Sequence, residues 1–200
     1  MAKTNMYYED NRDLAHDIQT LNVQLLDIPL RFSTDAGVFS KNAIDYGSRV
    51  LLENYEPKMA KTLLDVGCGY GVLGITLAKK YDLNVTMIDV NSRALDLATK
   101  NVFDNSVKNA KVEQSDIYEA VSEKFDSIIS NPPIRAGKEV VHSILEGAYE
   151  HLNLAGTLTI VIQKKQGAPS AQKKMQEVFG NCEIMTKDKG YYILQSIKEK

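Results

Sequence analysis

The sequence is poor in the residues that build disulfide and metal sites. Its 200 residues hold only two cysteines, Cys68 and Cys182, far apart, and three scattered histidines. That pattern excludes a disulfide framework and a clustered zinc site, so no metal is expected and a reducing cytoplasm is the natural setting. No apolar run approaches the roughly eighteen residues that cross a bilayer, so no membrane partner is expected. Met1-Ala2-Lys3-Thr4-Asn5 lacks the apolar stretch of a signal peptide. A strong excess of one charge is also missing: 24 basic and 26 acidic side chains leave a net charge of −2, which argues against a bulk nucleic-acid binder. Internal repeats and low-complexity tracts are absent, and the length suits one ordinary domain with a full core.

Charge is nonetheless uneven. Residues 161–200 carry 8 basic and 4 acidic side chains, whereas residues 1–60 carry 6 and 9 and residues 61–160 carry 10 and 13. A local basic rim is expected.

Two alternating runs open the chain, with Ile18, Leu21, Val23 and Leu25 in the first and Ile28, Leu30 and Phe32 in the second. With Asp27 at the bend, this period of two predicts a short antiparallel pair. A helix is expected from Lys41 to Tyr55, capped by Ser40 and closed by Pro57. From residue 61, strands alternate with helices. Strands are predicted at 62–66, 85–89, 111–116, 125–130 and 156–162, with helices after the first two, at 139–152 and at 170–179. Two final runs, 182–185 and 191–197, are joined by the turn residues Lys187-Asp188-Lys189-Gly190. This order predicts an α/β fold: a mostly parallel seven-stranded sheet, helices on both faces, a C-terminal antiparallel hairpin and a short N-terminal β extension. Residues 1–200 are read as one domain, with 1–58 as the hairpin-and-helix extension and 59–200 as the core.

Asp65-Val66-Gly67-Cys68-Gly69-Tyr70-Gly71 follows the first core strand. Gly67, Gly69 and Gly71 suit a tight strand-to-helix turn whose backbone approaches a nucleotide-like ligand. Gly69 to Gly74 also matches the dinucleotide fingerprint, which structural turns produce often. Asp89, followed by Val90, ends the second strand where an acidic residue meets ribose hydroxyls, and Asp116-Ile117 ends the third where a carboxylate can accept from an adenine amino group. Asp116 is alternatively a turn cap. Asp65, within an apolar strand, calls for a cationic ligand portion or loop amides as its partner. Cys68 reads as a small packed thiol.

Asn131-Pro132-Pro133-Ile134 ends the fourth core strand. The Asn131 side-chain oxygen and the Pro132 carbonyl are two acceptors on a loop stiffened by prolines, suited to a planar NH2 group. A strand-ending turn is the plainer alternative. A machine that delivers an electrophile to an exocyclic amine follows from the two motifs together.

In these motifs the chain resembles the class I S-adenosylmethionine-dependent methyltransferases, with their Rossmann-like fold, and specifically small single-domain relatives of the ribosomal RNA guanine-N2 methyltransferases of the RsmC type. The resemblance covers nearly the whole chain. Asp65 to Gly71 is similar to the family's cofactor loop, and Asp89 and Asp116 fall at its ribose and adenine positions. Asn131-Pro132-Pro133-Ile134-Arg135-Ala136-Gly137-Lys138 resembles its catalytic loop, and Gly37-Val38-Phe39-Ser40 with Asp45-Tyr46-Gly47-Ser48-Arg49 its lead-in segment.

The resemblance implies a site. Asn131, Pro132, Pro133 and Ile134 are the catalytic candidates. Asp65, Gly67, Cys68, Gly69, Gly71, Asp89, Val90, Asp116, Ile117 and Asn131 are the candidates for holding S-adenosylmethionine. Phe39, Ser40, Arg135, Lys138, Lys164 and Lys165 are the substrate-binding candidates. Ribosomal RNA or the small ribosomal subunit is the implied partner, N2 of a 16S guanine the implied acceptor, and a monomer is favoured. Two departures stand out: Ile134 replaces the aromatic that many amine methyltransferases place after the prolines, making Phe39 the candidate for stacking, and the second domain of larger members is lacking. Three alternatives remain at this stage: a protein glutamine N5-methyltransferase, an NAD(P)-dependent oxidoreductase and a non-catalytic cofactor-binding module.

Overall fold

The structure is a computed structural model and describes residues 14–200. The Met1-to-Asn5 reading and the start of the N-terminal extension lie outside the described residues. The first described elements are β1 (Gln19–Leu25) and β2 (Ile28–Thr34), an antiparallel hairpin in register from Gln19 opposite Thr34 to Leu25 opposite Ile28. Its two-residue turn, Leu26-Asp27, has φ of 49° and 64°. Paired positive φ values match the twist of hairpin strands, which is why so short a turn closes here.

Then come α1 (Tyr46–Asn54), β3 (Thr62–Val66), α2 (Val72–Tyr81), β4 (Asn84–Asp89), α3 (Ser92–Asp104), β5 (Ala110–Gln114), β6 (Phe125–Ser130), α4 (Lys138–Gly147), β7 (Leu152–Gln163), α5 (Ala168–Phe179), β8 (Glu183–Asp188) and β9 (Tyr191–Ile197). Seven strands form one sheet in the order β5-β4-β3-β6-β7-β9-β8, parallel except where β9 pairs with β7 and β8. Two apolar clusters fill its faces, one built around Leu63, Met87 and Ile129 and the other around Leu64, Ile128 and Leu158. Alternate strand residues point to opposite faces, so neighbours such as Leu63 and Leu64 divide between the two clusters. No helix among the described residues is long and apolar enough to cross a membrane.

The expected fold class holds, with corrections at element ends. The helix predicted from Lys41 begins at Tyr46, and its cap is Asp45, whose Oδ2 accepts from the Ser48 amide at 3.0 Å. Ser40 cannot cap it: φ is 53° there, its hydroxyl donates to the Ala43 carbonyl, and the Lys41 carbonyl accepts from Thr34 Oγ1. The helix predicted to reach residue 152 ends at Gly147, where a Cβ would lie 2.5 Å from the Tyr118 ring, and β7 begins four residues before the predicted strand. The third core strand ends at Gln114, which leaves Asp116 in the following loop.

The hairpin docks through side-chain amides on α3. Asn105 accepts from the Arg31 amide at 3.0 Å and donates to its carbonyl at 2.7 Å, and Asn101 does the same for Ser33 at 2.7 and 3.0 Å. Residues 101 and 105 are one helical turn apart, which matches the spacing of outward backbone groups two residues apart on β2.

Candidate functional site

After β3 the chain builds β4 and β5 to one side, and β6 then returns to the other side of β3. At such a switch point the loops leaving neighbouring strands diverge and open a crevice at the carboxyl ends. The two sequence motifs sit on these two loops. A cleft of about 320 Å³ lies between them, within the range of roughly 300–1,000 Å³ common for small-molecule sites.

The glycine turn forms one wall. The amides of Gly67 and Cys68 both donate to the Ile88 carbonyl, at 2.9 and 3.0 Å, which joins the turn to β4. Gly71, with φ of 94°, starts α2 in a conformation that a side chain would strain. Gly74, one turn later, lies so close to β4 that a Cβ would sit 2.5 Å from Met87. The third glycine of the fingerprint thus serves helix–sheet packing.

Asp65 is fully buried beneath this wall and does not line the cleft itself. Its Oδ2 accepts from the Gly74 amide at 2.9 Å, while Oδ1 has no hydrogen-bond partner. Burial, reinforced by the charge of Asp89, outweighs the Gly74 amide and pushes its carboxyl up to about 7. A positive ligand group near the loop would reverse that shift, so the orphaned oxygen fits a site for a cation-bearing molecule. Asp89 lines the cleft, with Oδ2 accepting from Gly69 at 2.8 Å and Oδ1 from Asn91 at 2.9 Å. Burial raises its carboxyl above the usual value against these amides. The Val90 amide also acts on this carboxyl, and since a carboxylate offers about four acceptor sites, about one remains for a hydroxyl group. Val90, Asp116 and Ile117 continue this wall. Cys68 is buried, and burial with the nearby charges of Asp89 and Asp65 raises its thiol far above the ordinary value, as an inert packed thiol requires.

The opposite wall carries Asn131, Pro132 and Pro133. The Asn131 Nδ2 donates to Asp45 Oδ2 at 2.9 Å and to Ser48 Oγ at 3.0 Å. A carboxylate only accepts, so the nitrogen must face Asp45 and the Asn131 carbonyl oxygen must face away. The Ser130 hydroxyl donates to the Val66 carbonyl at 2.7 Å, tying the end of β6 to the start of the glycine turn. Phe39 and Ser40 stand at the mouth, where Phe39 is 38% exposed. Their segment is anchored by Asn91 Nδ2 donating to the Gly37 carbonyl and Tyr70 OH donating to the Ser40 carbonyl.

Not every predicted site residue enters the cleft. Ile134 packs half-buried against the core cluster of Leu64 and Ile128, and Gly71 works only as the first residue of the helix turn. Arg135 and Lys138 are exposed beside the Asn131 loop. Lys164 and Lys165 are exposed on the turn after β7, one strand further along the same sheet edge. Asp45 and Ser48, missed as site residues, line the cleft. The signal that could have found Asp45 is its place as a cap, three residues before Ser48.

Known proteins resemble this chain in sequence and in fold. The chain is 46% identical over 196 residues to the uncharacterized protein YbxB of Bacillus subtilis (strain 168), covering 96% of this chain and 98% of that protein. It is 33% identical over 176 residues to the ribosomal RNA small subunit methyltransferase C of Erwinia tasmaniensis, covering 86% of this chain but 50% of that protein. The T. thermophilus 16S rRNA N2 G1207 methyltransferase (RsmC), solved in complex with AdoMet and guanosine, superimposes with a TM-score of 0.83 at 24% identity, over 91% of this chain and 51% of that one. The chain therefore spans about half the length of these methyltransferase relatives. Residues 29–195, from β2 through most of β9, match the model of the methyltransferase small domain, and the chain belongs to that family.

Proposed function

We propose that this protein transfers a methyl group from S-adenosylmethionine to N2 of an unpaired guanine in small-subunit ribosomal RNA, with residues 59–200 as the catalytic core and 1–58 as its extension. The observation that carries the reading is the orientation of Asn131. With its NH2 group held by Asp45 and Ser48, its oxygen is left as an acceptor, on the wall that also carries Pro132 and lies across the cleft from the glycine turn. The names of the relatives supply the acceptor, and family membership leaves the oxidoreductase alternative without support.

S-adenosylmethionine, when bound, supplies an electrophilic methyl carbon on a sulfonium whose leaving group is a neutral thioether. Gly67, Gly69, Asp89, Val90, Asp116 and Ile117 would hold its nucleoside part, and Asp65 would act on its charged part from beneath the loop. Asn131 Oδ1 and the Pro132 carbonyl would accept from the amino protons of guanine and stabilise the positive charge that develops on nitrogen. Most of the acceleration would come from alignment. The nitrogen lone pair would form the new N–C bond as the C–S bond breaks onto sulfur, and the surplus proton would leave to water. The base must be out of its stack to enter, and Phe39 at the mouth would be the aromatic that meets it.

Incubation of the purified protein with labelled S-adenosylmethionine and undermodified rRNA, free and in small subunits, tests this reading. Nucleoside mass spectrometry should find N2-methylguanosine. Label on a protein glutamine, with none on RNA, would reject it. Arg135, Lys138, Lys164 and Lys165 would contact phosphates, so affinity for rRNA should fall as salt rises. A flat response would remove the basic rim from the proposal.

A further inference from the structure

Asp45 has a second oxygen that the arrangement so far leaves unused. Its Oδ2 accepts from two donors, the Ser48 amide and Asn131 Nδ2. Its Oδ1 has no partner among the described residues, is not sealed in the interior, and belongs to a side chain that lines the cleft. Asp45, Asn131 and Pro132 line the same cleft, which therefore offers a carboxylate oxygen as well as the amide oxygen and a backbone carbonyl, all of them acceptors. A ligand that satisfies them must bring more than one donor.

We infer that Asp45 reads the N1–H of guanine and so determines which amine-bearing group is methylated. The inference rests on the methyl-transfer reading above and deepens it. Guanine alone among the common bases has a ring N–H directly beside its exocyclic NH2. Adenine and cytosine have a ring nitrogen lone pair in that place, and a glutamine side chain has a carbonyl oxygen there. Each would set an acceptor against the Asp45 carboxylate, and a site whose buried polar group is left unpaired discriminates strongly.

Two small changes test this, one in the base and one in the protein. 2-Aminopurine keeps the NH2 of guanine but lacks O6 and has a lone pair at N1, so the protein change decides which of the two differences is read. Asp45→Asn keeps an oxygen for the Ser48 amide and Asn131, since asparagine caps helices as well as aspartate does, and it turns the outer oxygen into an NH2 donor. An rRNA fragment is prepared with guanine or 2-aminopurine at the methylated position, and single-turnover methylation is measured for both proteins. The wild type should favour guanine by about 100-fold or more. Asp45→Asn should reduce that ratio at least about tenfold, by losing rate on guanine, whose N1–H then meets a donor, and gaining it on 2-aminopurine, with an unchanged melting temperature and unchanged affinity for S-adenosylmethionine. The same ratio in both proteins would overturn the inference while leaving the methyl-transfer reading intact. So would a loss of cofactor affinity with the ratio preserved, which would place Asp45 on the cofactor. No transfer to guanine by the wild type would overturn both.

Discussion

At the β3 wall of the cleft the chain reverses within a few residues, and the parts that hold it are close in sequence: Gly67, Gly71 and Gly74, with Asp65 under the Gly74 amide. At the β6 wall the Asn131 amide is oriented by Asp45 and Ser48, 86 and 83 residues earlier in the chain. The first wall is a backbone device that works by leaving side chains out. The second is a side-chain device that needs the segment of Asp45 and Ser48 folded against the end of β6. Damage to the first should therefore appear in stability and cofactor affinity, and damage to the second in turnover.

The largest separation of the two should come from Asn131→Ala. Turnover should fall by about 100-fold or more, as when one preorganised polar contact is removed, while calorimetric affinity for S-adenosylmethionine stays near that of the wild type. Near-normal methylation by this variant would dissolve the distinction. Gly74→Val attacks the other wall, pressing a branched side chain into buried Met87. Overpacking of this kind should cost about 1–3 kcal/mol in denaturant unfolding, and an unshifted midpoint would show that α2 can move away from β4 freely.

Ser48→Ala is a smaller probe. It removes one of the two acceptors for the Asn131 NH2, a contact worth about 1 kcal/mol, so turnover should drop several-fold with cofactor affinity preserved. A matching loss of cofactor affinity would mean that Ser48 serves both walls. The smallest effect concerns pH. The folded-state carboxyl of Asp65 is raised from 3.8 to about 7. Its contribution to the stability of the ligand-free protein is therefore fully present below the unfolded value and is lost as pH rises through about 7. A ligand with a positive group favours the ionised carboxylate, so affinity for S-adenosylmethionine should rise across the same interval. Asp65→Asn should flatten that rise in an isothermal titration series, and an unchanged slope would free Asp65 of this role.

Sequence patterns revealed what local physics decides. The alternation of Leu21, Val23 and Leu25 against Ile28, Leu30 and Phe32 marked the hairpin, because period two leaves no other way to bury one face. The apolar runs of β3, β4 and β6 and the glycine turn were visible for similar reasons. Elements whose ends depend on distant partners were not. Ser40 resembles a cap as closely as Asp45 does, and its positive φ, the Thr34 bond to the Lys41 carbonyl and the turn at Ala43 rule it out. Ile134 is apolar and follows the two prolines, so nothing local tells whether it faces a ligand or the core. Asn131 could be read as an acceptor, but the bonds that aim it join segments separated by most of the parallel sheet.

The paired amides of Asn101 and Asn105 have a consequence beyond docking the hairpin. Along β2 they occupy the backbone groups of Arg31 and Ser33 that an incoming peptide would otherwise seek. An unguarded strand margin invites other chains to extend it. Here a helix imitates the missing strand with two side chains, so the margin is closed against polymerisation without lengthening the sheet.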